Sequence, residues 1–343
     1  MSAVASVITA FESAPLPDPI RRAAVNLLVG GARRSLAGAP ADANTVFARE
    51  MAAFPIALHT AAANDQHYEL PAAFFTRVLG PHLKYSSCLY PTGVEDLERA
   101  EALALAETCL HADLKDGQKI LELGCGWGSL SLWMAEAYPC ARILSVSNSG
   151  SQRAFIEARA AERGLSNLQV ITADMNVFTT DLRFDRVVSV EMFEHMANWR
   201  ALLTRVHGWL KPDGALFLHV FSHARAPYRF DVDDPADWIA QHFFTGGIMP
   251  SHALIHAFSD LFTVEADWRW SGEHYARTAE DWLANFDRNA AEIGAVLREV
   301  YGRDARLWAR RWRLFFMATA GLFGHAGGRE WGVSHHRLRP LAR

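Results

Sequence analysis

The sequence predicts a doubly wound α/β fold: a mostly parallel sheet of seven strands with helices on both faces, a helical lobe ahead of it and helical insertions on the substrate side. Three observations carry that expectation. From Gly117 short apolar runs alternate with helical stretches, a glycine-rich turn follows the first run, and the rhythm breaks between Phe221 and Arg329. Residues 1 to about 75 lack strand-like alternation, while Ile20, Ala23, Ala24, Leu27 and Leu28 recur at helical spacing after the breaker Pro19, which reads as a helical N-terminal lobe. Residues 76–343 form the main domain. Its strands KILEL, ARILSV, LQVIT, FDRVVSV and ALFLHVF alternate with the helical stretches Leu130–Ala137, Gln152–Arg163 and Leu202–Leu210, as βαβ units do. Residues 221–329 are polar, tryptophan-rich and mostly helical around one strand, FTVEADW; such insertions near the sheet's carboxyl edge build a substrate side. GGREWGVSHHRL then supplies a last, antiparallel edge strand.

Composition narrows the function. Of 343 residues 50% are apolar and 21% charged, the balance of a packed globular protein, and 34 basic against 38 acidic residues leave −4, with no global positive field for nucleic acid or anionic lipid. Cys88, Cys109, Cys125 and Cys140 form no C-x-x-C pair, so neither a zinc cage nor a disulfide framework is expected. The N-terminus does not read as a signal peptide and the apolar run Leu314–Gly324 is too short to span a bilayer, which makes a cytoplasmic location the expectation.

KILELGCGWGS places Glu122, Gly124, Gly126 and Gly128 between a strand and a helix start at Ser129. Glycines belong where the backbone reverses tightly and a ligand approaches the main chain at a helix N-terminus. A nicotinamide fingerprint reads G-x-G-x-x-G with an acid about 20 residues on; here the second strand ends in SVSNSGSQ, with no carboxylate. S-adenosylmethionine suits the spacing better: its amino-acid end on the glycine turn, its ammonium near Glu122, its ribose and adenine near Gln152 and Asp174. Taken singly, Asp174 reads equally as a helix cap and Gln152 as a solvated helix start.

The motifs YSSCLYPTGVEDLERAEALALAETC, LELGCGWGSLSLWMAEAY, VEMFEHMANW, HFFTGGIMPS and GEHYARTAEDW, in that order between Phe74 and Trp331, resemble the cyclopropane-fatty-acid synthase superfamily of class I methyltransferases, and most closely its coclaurine-type small-amine N-methyltransferase branch. The resemblance implies cofactor contacts from Tyr85, Ser86, Gly124, Gly126, Gln152 and Asp174. Glu191, Glu194 and His195 stand at the carboxyl end of a central strand, where two carboxylates and an imidazole are costly unless they meet a cation or a hydrogen bond. In the amine branch, as resembled, the glutamate–histidine pair holds the cationic amine and His195 acts as base; capping or structural pairing is the plainer account of Glu194 and His195. Phe193 reads as core.

The rival within the superfamily is a cyclopropane synthase acting on phospholipid acyl chains with bicarbonate as base. Glu194, His219 and Tyr275 match its bicarbonate positions, but the amine branch shares them, and His219 alone reads as well as a hydrogen-bonded strand histidine. Ser87 stands where the lipid enzymes have cysteine, Phe221 where they have isoleucine, and Glu191 where they have glycine or another small residue. An extra buried carboxylate suits a cation and gains nothing against an alkene. Phe243, Phe244 and Trp331 are candidate aromatic walls for an aryl-alkyl amine, with core packing as the alternative. The segment REVYGRDARLWARRWRLFF reads either as a membrane-surface helix or as a helix with solvated arginines and inward tryptophans. A third reading is a cofactor-binding protein without chemistry.

Overall fold

The computed structural model describes residues 12, 14, 16–58, 70–234 and 237–342; the parts of the predicted N-terminal lobe at residues 1–11 and 59–69 lie outside them. Seven strands form the main sheet: β1 Lys119–Leu123, β2 Arg142–Ser147, β3 Leu168–Thr172, β4 Phe184–Val190, β5 Leu210–His223, β8 Phe262–Ser271 and β9 Trp331–Pro340. A separate pair consists of β6 Tyr228–Arg229 and β7 Ile248–Met249. The sheet order is β3-β2-β1-β4-β5-β9-β8, parallel from β3 to β5, with β9 antiparallel to both neighbours.

The last strand is therefore not an edge. Val333, Ser334, His335, His336 and Leu338 of β9 are all buried, as a strand covered on both faces and paired on both sides requires, whereas β8 exposes Thr263, Glu265, Asp267 and Arg269 alternately and is the edge.

Side-chain alternation sets the two layers. Leu121, Leu123, Val187, Leu216 and Leu218 face one side, where α7 Trp199–Trp209 lays down Leu202, Leu203 and Val206 and α2 Ala43–Glu50 contributes Phe47. Ile120, Val188 and Phe217 face the other, under α4 Leu97–His111 and α5 Ser129–Ala137. The helix α6 Gly150–Glu162 covers β2 and β3, capped by Ser149, whose hydroxyl accepts from the Gln152 amide.

The remaining helices gather at the carboxyl end of the sheet around a second core. These are α1 Asp18–Ala37, α3 Ala72–Val78, α8 Trp238–His242, α9 Gly272–Arg288, α10 Ala290–Tyr301 and α11 Ala305–Gly324. Gly321 lets α1 approach α11: a Cβ there would stand 2.5 Å from Val25. The basic segment takes the inward-packing form. Trp312 and Phe316 are fully buried, Arg313 pairs with Asp18 and Asp287, Arg311 pairs with Glu12, and Trp308 stacks on Tyr301. Two of its six arginines, Arg311 and Arg313, are thus committed to carboxylates of the same chain, while Arg303, Arg306 and Arg310 face solvent. No helix among the described residues is long and apolar enough to cross a membrane.

Candidate active site

A cavity of about 960 Å³ opens at the carboxyl ends of β1, β2 and β4, at the top of the range for small-molecule sites and roomy enough for a cofactor and a second ligand. The glycine turn forms one end. Gly124, Gly126 and Gly128 have φ of +79°, +50° and +82°, and the Gly124 N–H donates to the Val146 carbonyl at 2.9 Å, which ties the turn to β2. Nothing lies within 4 Å of where a Gly126 Cβ would stand, so a ligand can approach the main chain there.

Ser129, at the first position of α5, lines the same space with its hydroxyl buried and unpartnered. A ligand carboxylate at this helix N-terminus would satisfy it. Glu122 faces the cavity while its Oε2 accepts from Ser131 and Ser145, and burial raises its carboxyl to about 6. Gln152 is buried and accepts from Ser147 at 2.7 Å; Asp174 caps the turn after β3 by accepting from the Asn176 amide at 2.7 Å. Both line the cavity, as do Tyr85 and Ser86. An anion seat, a buried carboxylate and polar groups farther along match the carboxylate, ammonium and ribose of S-adenosylmethionine in that order.

Glu191 forms the hub of the other end. Its backbone stands at φ +46°, rare for a non-glycine residue, and its carboxylate is fixed on three sides. Oε1 accepts from the Ser87 amide at 2.9 Å and lies 3.2 Å from His219 Nε2, while Tyr275 donates its hydroxyl to Oε2 at 2.6 Å. Burial raises its pKa against the opposing pull of Lys84. Lys84, only 2% exposed, donates from Nζ to Ser86 Oγ and to the Ser87 carbonyl, both at 2.6 Å, and so shapes the loop that presents the Ser87 amide. His195 lines the cavity with its ring 4.4 Å from that of Phe244, and burial pushes it down to about 4. It is therefore a neutral imidazole at pH 7.

Residues 58–326 match the family model described as mycolic acid cyclopropane synthetase. The chain belongs to that family. Among curated relatives, the (S)-coclaurine N-methyltransferase of Thalictrum flavum subsp. glaucum is 35% identical over 285 residues, 82% of this chain and 79% of the relative. The cyclopropane-fatty-acyl-phospholipid synthase of Escherichia coli (strain K12) is 30% identical over 274 residues, 79% and 67% respectively. The crystal structure of a coclaurine N-methyltransferase bound to N-methylheliamine and SAH superposes with a TM-score of 0.91 at 30% identity, covering 98% of this chain and all of that one. A cyclopropane synthase from Mycobacterium tuberculosis, at 22% identity and a TM-score of 0.69, shares the fold. The resemblance read from the motifs is thus borne out: this member of the cyclopropane synthetase family is a methyltransferase, and S-adenosylmethionine is its cofactor.

Five candidates sit elsewhere than the sequence placed them. Glu194 is fully buried behind the cavity wall, where Oε1 accepts the Phe221 amide at 2.6 Å and Oε2 has no partner; the strand end turns its side chain toward β5, so it does not reach a substrate. Phe243 is core, stacked on Phe315 at 4.5 Å and edge-on to Trp312, because adjacent residues leaving α8 point opposite ways and Phe244 takes the cavity side. Trp331 is also fully buried, on β9, and does not line the cavity; its Nε1 donates to the hydroxyl of the lining residue Tyr228 at 3.2 Å. Gly128 packs rather than lines: a Cβ would meet Ile156 at 2.6 Å. His219 stands behind Glu191 and does not line the cavity, whereas Tyr275 and Phe244 do. Sequence reasoning missed Ser129, Lys84, Tyr228 and Phe230; for Lys84 there was no signal, since a lone lysine beside a polar motif normally reads as solvated.

The buried histidines predict acid sensitivity. Among the described residues burial lowers ten imidazoles, His82, His111, His195, His219, His223, His242, His252, His274, His335 and His336. Among the same residues five carboxyls are raised, Glu101, Glu122, Glu191, Glu194 and Asp237. A ring with a depressed folded pKa binds its proton more readily unfolded, so its contribution is present above about 6.5 and is lost as pH falls toward the folded value, about 4 for His195 and about 3 for His336. The raised carboxyls oppose this and are outnumbered. Unfolding free energies from denaturant titrations at pH 7 to pH 5 should fall, by on the order of 1 kcal/mol per pH unit for each fully buried ring before that offset; a flat profile would contradict the neutral assignment.

Proposed function

We propose that this protein transfers the methyl group of S-adenosylmethionine to the nitrogen of a small aryl-alkyl amine of the benzylisoquinoline kind. The observation that carries the reading is the seat of the Glu191 carboxylate. Of the positions that match the bicarbonate site of the lipid-modifying branch, Glu194, His219 and Tyr275, the last two here meet a carboxylate of the chain itself, which the Ser87 amide also holds. That space is filled, and the anion filling it faces the cavity where a protonated amine would rest.

Phe221, Tyr228, Phe230 and Phe244 line the cavity; the Phe244 ring lies 5.5 Å from that of Phe221 and 4.9 Å from that of Phe230. They offer π faces worth about 0.5–2 kcal/mol to a desolvated cation. Bound cofactor supplies the electrophilic methyl group. The chain's residues align the amine, exclude water and take its proton. His195, neutral, accepts the ammonium proton, and Glu191, whose hold on a proton is raised by burial, stabilises the charge so formed. Glu194 acts as a positioning residue through the Phe221 amide. The free thiols suit a reducing compartment, and we place the enzyme in the cytoplasm.

The test is methyl transfer from labelled cofactor to benzylisoquinoline and phenethyl-type amines and, in parallel, to unsaturated phospholipid vesicles, each with and without bicarbonate. Label in the amine, indifferent to bicarbonate, is expected. Bicarbonate-dependent label in the acyl chain would overturn the reading.

A further inference from the structure

Behind Glu191 three imidazoles stand in file and reach the surface. His219 Nδ1 is 2.8 Å from His335 Nε2, His335 Nδ1 is 2.7 Å from His111 Nδ1, and His111 Nε2 is 3.0 Å from Glu107 Oε1. The fold builds the file. His219 on β5 and His335 on β9 are cross-strand partners, and His111, the last residue of α4, lies flat on Trp268, the β8 partner of His335, at 3.8 Å. His219 and His335 are fully buried, whereas the Glu107 side chain is 35% exposed. Methyl transfer requires none of the outer residues, and three neutral buried histidines are a costly way to fill a sheet face.

We propose that Glu191, His219, His335, His111 and Glu107 form a proton path that sets the charge of the buried carboxylate from solvent while a cationic amine occupies the cavity. The inference rests on the amine reading above. With the 3.2 Å contact between His219 and Glu191, the file has four hydrogen-bonding contacts in series. Each needs one hydrogen, and three neutral imidazoles bring three. The fourth is a proton on one terminal carboxyl. With it on Glu191, the rings carry hydrogen on His219 Nδ1, His335 Nδ1 and His111 Nε2. Moving each hydrogen across its own contact leaves Glu191 ionised, the proton on Glu107, and the rings as the opposite tautomers; Glu107 then loses the proton to water.

Arrival of the ammonium favours that ionised state. The ammonium proton later passes to the base cluster, leaving the electron pair that forms the N–C bond as the C–S pair goes to sulfur. That proton departs through the cavity with the products, and a proton returning inward along the file restores the starting state. No ring has to turn. Lys84, His195, Tyr275 and Glu194 surround Glu191, His336 adjoins His335, and Arg337 faces His111, so the path is flanked by charge of both signs.

The test is 15N spectroscopy of histidine-labelled protein titrated with base, without ligand and then with SAH and a quaternary ammonium analogue of the amine. One shared transition in which His219, His335 and His111 exchange tautomers together is expected, and the cation should shift it to lower pH. In Glu107→Gln, on the half-exposed surface of α4, the side-chain amide donates to His111 Nε2 and removes a charge, so the midpoint should fall by roughly half a pH unit or more. In His111→Phe, which keeps a ring on Trp268, the concerted exchange should vanish. Separate titrations of the three rings, or an unmoved midpoint in Glu107→Gln, would overturn the path. A concerted exchange driven by pH but untouched by the cation keeps the path and removes the amine reading.

Discussion

Replacing Glu191 by glycine should lower kcat/KM for the amine by about 10²–10⁴-fold, the range of a lost acid–base or charge-stabilising group, while cofactor affinity stays within a few-fold. Added bicarbonate or formate should then restore part of the activity. Glycine relieves the backbone, which at φ +46° costs a glutamate roughly 1 kcal/mol. That strain persists because the Ser87 amide, His219 and Tyr275 hold the carboxylate in place. Once the side chain is gone, the same three groups face a space shaped for a small planar anion, and formate or bicarbonate from solution replaces the missing carboxylate. Glu191→Gln is the control. Its amide fills the space but carries no charge, so its turnover should fall comparably and ignore bicarbonate. Turnover of both variants against bicarbonate concentration, with thermal midpoints to confirm folding, decides the matter. Glu191→Gly retaining turnover within about tenfold of the parent, without added anion, would remove Glu191 from the chemistry.

Whether a residue was legible beforehand depended on how local its cause is. Strand–helix alternation and the glycine turn are consequences of near-neighbour chemistry, and β1 to β5, α5 and α6 stand where periodicity placed them. The interior position of β9 is not local. WGVSHHRL carries four polar side chains in a row, which reads as an edge, yet Ser334 bonds Ser222 and His335 bonds His219 and His111, so the strand is buried by partners more than 100 residues away. The Glu191–Glu194 pair shows the same limit. Both read as cavity carboxylates, and only a left-handed backbone at Glu191 and a short 3₁₀ turn at Phe193–His195 send one into the cavity and the other into β5. Likewise Phe243 and Phe244 are adjacent and chemically identical, and only the course of the chain out of α8 separates core from wall.

Gly124→Ala is expected to cost more than ten-fold in cofactor affinity and about 2–4 kcal/mol in stability, because two penalties fall on one position. The residue sits at φ +79°, which burdens any L side chain by about 1–2 kcal/mol. The new methyl would also stand 2.5 Å from Met192 Cγ and 2.6 Å from its Cβ, and relief by overpacking a wall costs about 1–3 kcal/mol. The turn cannot retreat cheaply, since the Gly124 amide is bonded to Val146. Met192 cannot retreat without entering the cavity it lines or displacing Glu191, its chain neighbour. Gly126→Ala separates the two penalties. At φ +50° with nothing within 4 Å, it bears only the backbone cost, but its methyl occupies the space through which a ligand meets the main chain. Its thermal midpoint should therefore drop less than that of Gly124→Ala, while calorimetric binding of S-adenosylmethionine weakens in both. If Gly124→Ala keeps the parent's midpoint and affinity, the turn is not the cofactor seat; if only its affinity survives, the crowding at Met192 is structural and the anion must bind farther along α5, beyond Ser129.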